Sequence, residues 1–246
     1  MSGASPGAAW QRSDVANPFL DDRQILVPLL DVQEDLLRRL LGRHPRPLGR
    51  ILDIGSGNGA MSELALATDP SAEAVLVDFS KPMLDRAAAR LERFPGRWRV
   101  VEADLSMPAW CEYLRPAGYG VAISALAIHH LPGERKRALY GELAALLEPG
   151  GLFVNMDYVT VDSSLAGLFD EQLVANAVRA ERERGGRRTA EEVEREFVDD
   201  GVEDRPDSVE DQLQWLCHAG LEHAELHFKW AEAAIFGAVK PPGADG

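Results

Sequence analysis

A run of apolar residues followed by three alternating glycines constrains the fold of this chain more than any other feature. Residues 51–59 read Ile-Leu-Asp-Ile-Gly-Ser-Gly-Asn-Gly, which predicts a buried strand that enters a tight turn. Because glycine has no Cβ, Gly55, Gly57 and Gly59 allow positive φ angles and let a ligand approach the backbone closely. Residues 60–67 have a helical pattern, and the N–H groups at a helix N-terminus favour a polar or anionic group. The turn therefore predicts a site for a nucleotide-like ligand.

Strand and helix patterns alternate along the chain after this turn. The first predicted strands lie at 50–54, 74–77, 98–102, 121–128 and 152–158, and the helices between them lie at 60–67, 81–94 and 134–147. Two further strands, 222–229 and 233–239, are joined by a connection so short that they must pair antiparallel. We therefore predict an α/β fold: an open, doubly wound, mostly parallel seven-stranded sheet with a C-terminal antiparallel hairpin and a helical lid insertion.

The charge of the chain bears on its partners. It has 26 Lys and Arg residues against 40 Asp and Glu residues, a net charge of −14, and residues 181–211 alone hold 13 acidic and 6 basic side chains, a net of −7. Such a surface repels phosphate backbones, so we expect no nucleic-acid partner. No apolar run approaches the roughly 18 residues of a membrane helix, and residues 1–9 lack the pattern of a signal peptide. We expect a cytoplasmic monomer or homodimer without a membrane partner, and the positions of Cys111 and Cys217 predict no metal site.

Three aspartates occupy positions in the predicted strands that suit a nucleoside. Asp78 ends the second strand, where a carboxylate can accept both hydrogen bonds of a ribose diol. Asp104 lies just past the third strand, where it can accept from the exocyclic amine of adenine. Asp53 lies inside the first strand, where a buried carboxylate needs N–H groups of the turn or a ligand ammonium as partners. The turn reads G-x-G-x-G, whereas dinucleotide-binding folds usually show G-x-G-x-x-G, so the spacing favours a different ligand.

Five segments in this order resemble the successive motifs of the class I S-adenosylmethionine-dependent methyltransferases. They are the glycine turn (51–59), Val-Asp-Phe-Ser-Lys-Pro-Met-Leu (77–84), Glu-Ala-Asp-Leu (102–105), Ser-Ala-Leu-Ala-Ile-His-His-Leu (124–131) and Leu-Glu-Pro-Gly-Gly-Leu-Phe-Val (147–154). The closing antiparallel hairpin is also a feature of that family. The resemblance implies an enzyme of the small-molecule type, with S-adenosyl-L-methionine as its cofactor.

The resemblance also assigns ten residues to the cofactor. The glycine turn would line its amino-acid end, Asp53 would orient the turn or the amino group, and Asp78 would hold the ribose. Phe79 and Met83 would pack near the adenine, and Asp104 and Leu105 would face its rim. Ser124 would lie under the methionine part. The full set is Asp53, Gly55, Ser56, Gly57, Asp78, Phe79, Met83, Asp104, Leu105 and Ser124.

A single methyltransferase domain over residues 1–246 then has four regions. An N-terminal helical cap spans 18–48, the cofactor-binding core spans 49–160, the helical lid insertion spans 161–205, and the closing helix and antiparallel strands span 206–240. In the lid, apolar residues at a 3.6-residue spacing predict a helix, and a second helix with a sparser stripe follows it. The substrate pocket is expected between the cap, the lid and the edge of the sheet.

Residues for catalysis and acceptor binding are expected where the fourth and fifth strands end, because ligands of open α/β sheets bind at that edge. His129 and Asp157 are the candidates for a general base, which helps when the nucleophile is a hydroxyl or an ammonium group. Correct alignment of the acceptor supplies much of the remaining rate. The candidate substrate contacts are Arg23, His130, Tyr158 and Phe169.

Three functions remain open from the sequence. The first is methyl transfer to an oxygen or nitrogen of a small-molecule metabolite by in-line displacement. The second is a carboxy-S-adenosylmethionine synthase or another enzyme of tRNA modification, because residues 21–28 and 219–230 resemble enzymes of the bacterial wobble-uridine pathway. Carboxylate transfer needs a cationic group near the carboxylate, and the sequence does not place one. The third is a cofactor-binding partner subunit without activity, against which the intact turn and carboxylates argue.

Overall fold

The computed structural model describes residues 27–243 apart from 46, 113, 115–117, 162–166, 184, 188 and 193–203. The strands are β1 (Arg50–Ile54), β2 (Glu73–Asp78), β3 (Trp98–Glu102), β4 (Tyr119–Ala125), β5 (Leu147–Tyr158), β6 (Glu222–Trp230) and β7 (Ala233–Val239). The α-helices are α1 (Leu30–Gly42), α2 (Ala60–Thr68), α3 (Lys81–Leu91), α4 (Gly133–Leu146), α5 (Leu168–Glu183) and α6 (Val209–His218). Short 3-10 helices occupy Pro108–Cys111 and Ile128–His130.

These strands form one sheet in the order β3-β2-β1-β4-β5-β7-β6. β1 pairs parallel with both β2 and β4, and β7 pairs antiparallel with both β5 and β6. The predicted fold class is confirmed, including the antiparallel hairpin. The strand order reverses between β1 and β4, and at such a switch point the carboxyl ends of the strands leave a crevice for a ligand.

Apolar cores cover both faces of the sheet, as a doubly wound fold requires. Ile51 of β1 packs in the core shared with α1, α2 and α3, whereas its neighbour Leu52 packs in the core shared with α4 and α6. This alternation follows from the two-residue period of a strand. A strand buried on both faces reads as a continuous apolar run, which is why β1 and β4 were easy to recognise in the sequence.

The residues at the two ends of the closing helix α6 are of the types that favour a helix start and a helix end. Ser208 is the N-cap residue, and its hydroxyl accepts a hydrogen bond from the backbone N–H of Asp211 at 3.0 Å. Gly220 follows the helix with a φ of 86°, the left-handed conformation that suits glycine at a helix end. Within the described ranges, no helix is both long enough and apolar enough to cross a membrane.

Two strand boundaries differ from the prediction. β4 ends at Ala125 rather than at residue 128, because Leu126 has a φ of 55° and its backbone N–H donates to Met156. The apolar run continues through Ile128, which hides this turn in the sequence. β5 begins at Leu147 rather than at residue 152, because Gly150 and Gly151 exchange backbone hydrogen bonds with Lys240 instead of forming a turn.

The predicted cap and lid are described only in part. α1 starts at Leu30, whereas the sequence pattern suggested a start at residue 25, which lies outside the described residues. The first lid helix corresponds to α5, and most of the second lies within 193–203, also outside them. The four-region division of the chain stays a prediction.

Candidate active site

The glycine turn adopts the conformation that its sequence requires. Gly55, Gly57 and Gly59 have φ angles of 61°, 50° and 76°. A Cβ on Gly55 would lie 2.2 Å from the Cβ of Ala127, which no side chain can tolerate. A Cβ on Gly57 would meet nothing within 4 Å, so the turn is open on that side. Glycine is therefore needed at 55 for packing as well as backbone conformation, and at 57 for conformation alone.

Asp78 holds the same turn from the end of β2. Its Oδ2 accepts from the backbone N–H of Gly57 and its Oδ1 accepts from that of Ser80, both at 2.8 Å. Burial raises the pKa of this carboxyl group, and the backbone hydrogen bonds counter that rise only in part. Each carboxylate oxygen has a second lone pair, so Asp78 can accept further hydrogen bonds from a ligand diol.

Asp53 fixes the start of α2. Its Oδ2 accepts from the backbone N–H of Ser62 at 3.0 Å and from the hydroxyl of Ser62 at 2.7 Å. A carboxylate close to the N-terminus of a helix also interacts favourably with the helix dipole. Asp53 therefore anchors the helix that follows the glycine turn, and the two roles expected for it, towards the turn or the cofactor's amino group, stay predictions.

A pocket lies above the turn at the switch point of the sheet. Of the predicted cofactor residues, all except Ser124 line it: Asp53, Gly55, Ser56, Gly57, Asp78, Phe79, Met83, Asp104 and Leu105. Ser124 is buried, and its hydroxyl donates to the carbonyl of Ile54 at 2.9 Å, so it joins β4 to β1. The lining also includes residues that were not predicted to bind the cofactor, among them Asn58, Met61, Ser106, Leu126 and His130.

His129 and Asp157 form a buried pair beside this pocket. Nδ1 of His129 bonds to Oδ1 of Asp157, and the backbone N–H of His129 donates to Oδ2 of Asp157 at 3.0 Å. Asn155 and the backbone of Tyr158 donate to the same carboxylate. The two residues predicted as catalytic are therefore brought together, although they lie 28 positions apart. They contact because β4 and β5 are neighbours in the sheet.

Asp204 joins this pair and was not predicted from the sequence. Its Oδ1 lies 3.4 Å from Nε2 of His129 and 3.0 Å from Nδ1 of His130. The next residues are tied down, since Arg205 donates its backbone N–H to the carbonyl of His129, and the buried Lys136 donates to Asp207 at 2.7 Å. The sequence signal for Asp204 is an acidic residue shortly before the N-cap of α6. It lies within a strongly acidic stretch, however, and such a stretch is typical of solvated surface.

The charges of this cluster follow from its contacts. Burial alone would lower the pKa of His129, but the carboxylates of Asp157 and Asp204 outweigh burial and raise it to about 9. Burial lowers the pKa of His130 despite the nearby Asp204. Burial would raise the pKa of Asp204, but its hydrogen bonds with the two histidines hold the pKa well below its usual value. At neutral pH, His129 is therefore a cation and His130 is neutral.

The two histidines also differ in their position relative to the pocket. His130 lines the pocket, whereas His129 does not and is only 3% exposed. The possible ligand atoms of His129, His130 and Asp204 lie within 4.8 Å of one another, which would suit a cation. The close contacts of the two histidines with the carboxylate of Asp204 also account for this spacing. The sequence predicted no metal site.

The other predicted substrate contacts are placed less fully. The ring of Tyr158 lies 5.1 Å from that of His129, so it belongs to the same edge of the sheet. Arg23 lies outside the described residues, and so does the side chain of Phe169, which is part of α5. Whether any of these residues touches the acceptor stays a prediction.

The comparisons with known proteins agree with this geometry. Residues 51–151, which include the turn, Asp78 and both histidines, match the family model described as a methyltransferase domain. Over these residues the chain therefore carries a methyltransferase domain, as the motifs in its sequence suggest. The carboxy-S-adenosyl-L-methionine synthase of Aeromonas salmonicida (strain A449) is 24% identical over 229 residues, which cover 92% of this chain and 87% of that protein.

Solved structures show the same fold. An O-methyltransferase family protein from Burkholderia thailandensis is similar with a TM-score of 0.66 at 15% identity, and covers 94% of this chain. Human N-acetylserotonin methyltransferase, solved in complex with S-adenosylmethionine, has a TM-score of 0.64 at 14% identity, and the match covers 98% of this chain. This chain spans 61% and 60% of the lengths of those two chains.

The site fits the cofactor of this family, S-adenosylmethionine. The open side of the turn at Gly57 leaves its backbone accessible, and the carboxylate of Asp78 has lone pairs for a ribose diol. Among the described residues that line the pocket there is no Lys or Arg. A pyrophosphate would have favoured such a residue, whereas a ligand with a sulfonium and an amino group suits a lining that includes carboxylates.

Proposed function

We propose that this methyltransferase acts on an oxygen or nitrogen atom of a small-molecule metabolite. When bound, S-adenosylmethionine supplies a methyl group on an electrophilic sulfonium, so the chain itself has to hold, align and deprotonate the acceptor. The observation that supports the proposal is the position of His130, which lines the cofactor pocket and whose Nδ1 lies 3.0 Å from Oδ1 of Asp204. A basic side chain at that point can serve an acceptor placed against the cofactor.

The two histidines take different roles in this proposal. The carboxylate of Asp204 lies 3.0 Å from Nδ1 of His130 and favours the neutral tautomer with its proton on Nδ1. Nε2 is then the basic nitrogen of the ring, and it accepts the proton of the acceptor. His129 is already protonated at neutral pH, so it does not act as the base that the sequence suggested. Instead, His129 and Asp157 form an ion pair that holds Asp204 in place. The proposed general base is therefore His130 rather than His129, and it is still a histidine beside an aspartate, as the sequence suggested.

A second candidate, carboxy-S-adenosylmethionine synthesis, is favoured by one observation. Three relatives with that name are 24%, 27% and 26% identical, and two of them cover 92% of this chain. Against it, a transferred carboxylate needs a cation, and the cluster beside the pocket has a net charge of −1 when Asp157, Asp204 and His129 are ionised. Arg23, which could supply a cation, lies outside the described residues.

The test is a screen for transfer of an isotope-labelled methyl group from S-adenosylmethionine to a panel of hydroxyl- and amine-bearing metabolites, with bulk tRNA as a separate acceptor. We expect label on a small molecule. The His130→Gln variant should lose about 100-fold or more of the turnover, as expected for a lost general base, while it still binds S-adenosylhomocysteine in calorimetry.

Three outcomes contradict the proposal. Label on tRNA would overturn the small-molecule acceptor. Mass spectrometry that finds a carboxylated form of the cofactor bound to the purified protein would favour the second candidate. Full turnover of His130→Gln with loss in His129→Gln would return the base to His129.

A further inference from the structure

One wall of the cofactor pocket is a loop between β3 and the 3-10 helix at Pro108–Cys111. Asp104, Leu105 and Ser106 of this loop line the pocket. The loop has some structure of its own, because the carboxylate of Asp104 accepts from the backbone N–H of Ser106 at 2.8 Å and the carbonyl of Asp104 accepts from that of Met107 at 3.0 Å. These contacts shape the loop but do not fix its position relative to the glycine turn.

Arg135 on α4 connects this loop to the body of the domain. Its Nε donates to the carbonyl of Leu105 at 2.7 Å. Its two terminal nitrogens donate to Glu142 at 3.0 and 2.7 Å, so the guanidinium is held in a bidentate pair with a residue two turns along the same helix. Arg135 is 11% exposed and Glu142 is 23% exposed. An arginine fork fixed in this way has little freedom to swing away from the loop.

Glu142 also holds the far end of the same segment. Its Oε2 accepts from the indole N–H of Trp110 at 2.5 Å, and Trp110 is 1% exposed within the core that includes α4. The loop is therefore tied to one helix at two points, through a backbone carbonyl at its start and through a buried side chain at its end. The side chain of Leu105 reaches across to the turn, because its Cδ1 lies 3.8 Å from a Cβ built on Gly55.

We propose that Arg135 is a positioning residue for the cofactor. Arg135 is not among the residues that line the pocket, so it acts through Leu105. With Glu142, it sets the distance between the loop at 104–106 and the glycine turn before the cofactor arrives. Such preorganisation raises affinity, because the loop does not have to be ordered upon binding. Loss of the guanidinium releases the wall that faces the adenosyl part, and the affinity for the cofactor falls.

The expected effect is on binding rather than on the chemical step. Calorimetry of Arg135→Ala with S-adenosylhomocysteine should show a Kd raised by about tenfold, in line with loss of a charged hydrogen bond. KM for S-adenosylmethionine should rise in parallel, with kcat at saturating cofactor within about twofold of the wild type. Arg135→Lys should recover only part of the affinity, because an ammonium cannot bond to Leu105 and both oxygens of Glu142 at once.

Arg97 provides a matched control. It also clamps a loop, with its guanidinium donating to the carbonyls of Ala72, Leu66 and Asp69 at 3.0, 3.1 and 2.6 Å, and none of these residues lines the pocket. Arg97→Ala should lower the free energy of unfolding and leave the Kd of S-adenosylhomocysteine unchanged. An Arg135→Ala protein that loses stability to the same extent but keeps the wild-type Kd would overturn the proposal. The binding readout does not need the acceptor, so it stands whatever the methylated atom proves to be.

Discussion

The two halves of the active site are built in different ways. On the cofactor side, the turn at 55–59, Asp78 and Asp104 come from consecutive strand–turn units, and the contacts between them are made within one stretch of chain. On the acceptor side, the cluster of His129, Asp157 and Asp204 draws on three segments. Local sequence therefore specifies much of the cofactor cradle, whereas the cluster at the sheet edge depends on how distant segments dock.

Substituting Gly55 and Gly57, two of the three glycines of the turn, tests the cofactor side and should give the largest effect. Gly55→Ala forces a Cβ to within 2.2 Å of Ala127 at a positive φ, so we expect a loss of several kcal/mol of the free energy of unfolding. An alanine at 57 would keep an unfavourable positive φ, but its Cβ would meet no other atom. Gly57→Ala should therefore lower the free energy of unfolding by only about 1–2 kcal/mol. Urea unfolding of both variants without cofactor measures the difference. Equal losses would show that packing against Ala127 does not restrict this turn.

Removing the charge of Asp78 should have the next largest effect. Asp78→Asn replaces one accepting oxygen with an NH₂ group, which cannot accept from the N–H groups of Gly57 or Ser80 or from a ribose hydroxyl. We expect S-adenosylhomocysteine binding to weaken by about 1.5–3 kcal/mol, measured by calorimetry. Asp69→Asn is the control, because Asp69 accepts similar backbone hydrogen bonds from Leu48 and Ser71 away from the pocket. If Asp78→Asn binds S-adenosylhomocysteine with wild-type affinity, Asp78 does not hold the cofactor.

The pH dependence of stability tests the acceptor side, the cluster of His129, Asp157 and Asp204, and the expected effect is smaller. The pKa of His129 is raised from 6.5 to about 9 in the folded protein. The stabilisation from its contacts with Asp157 and Asp204 is therefore fully present below pH 6.5 and is lost as the pH rises through about 9. The free energy of unfolding of the wild type should fall over this interval more steeply than that of His129→Gln. Parallel curves would mean that His129 is not charged in the folded state, and the division of roles between the histidines would fail.

Much of the fold could be read from the sequence because its signals are local. Apolar runs indicate β2 and β4, and the types of Ser208 and Gly220 suit the two ends of α6. The errors at β4 and β5 arose where the local signal misleads. An apolar run hid the turn at Leu126, and the glycines at 150 and 151 pair with Lys240, which lies far along the chain.

The site was predictable to the same extent. The glycine turn, Asp78 and Asp104 could be located because backbone conformation and strand ends depend on neighbouring residues. Asp204 could not, because it reaches the histidines only through the docking of residues 205–207 on Lys136 and on the carbonyl of His129.

The sequence by itself determined the cradle: three glycines that need positive φ angles, followed by carboxylates at strand ends. Tertiary structure decided which histidine lines the pocket, which one is charged and which distant acid completes the cluster. The physical reason is that the pKa of a side chain depends on burial and on charges within a few ångströms. Those neighbours depend on the order of the strands and on the path by which the chain returns to the edge of the sheet. No single segment of the sequence specifies either.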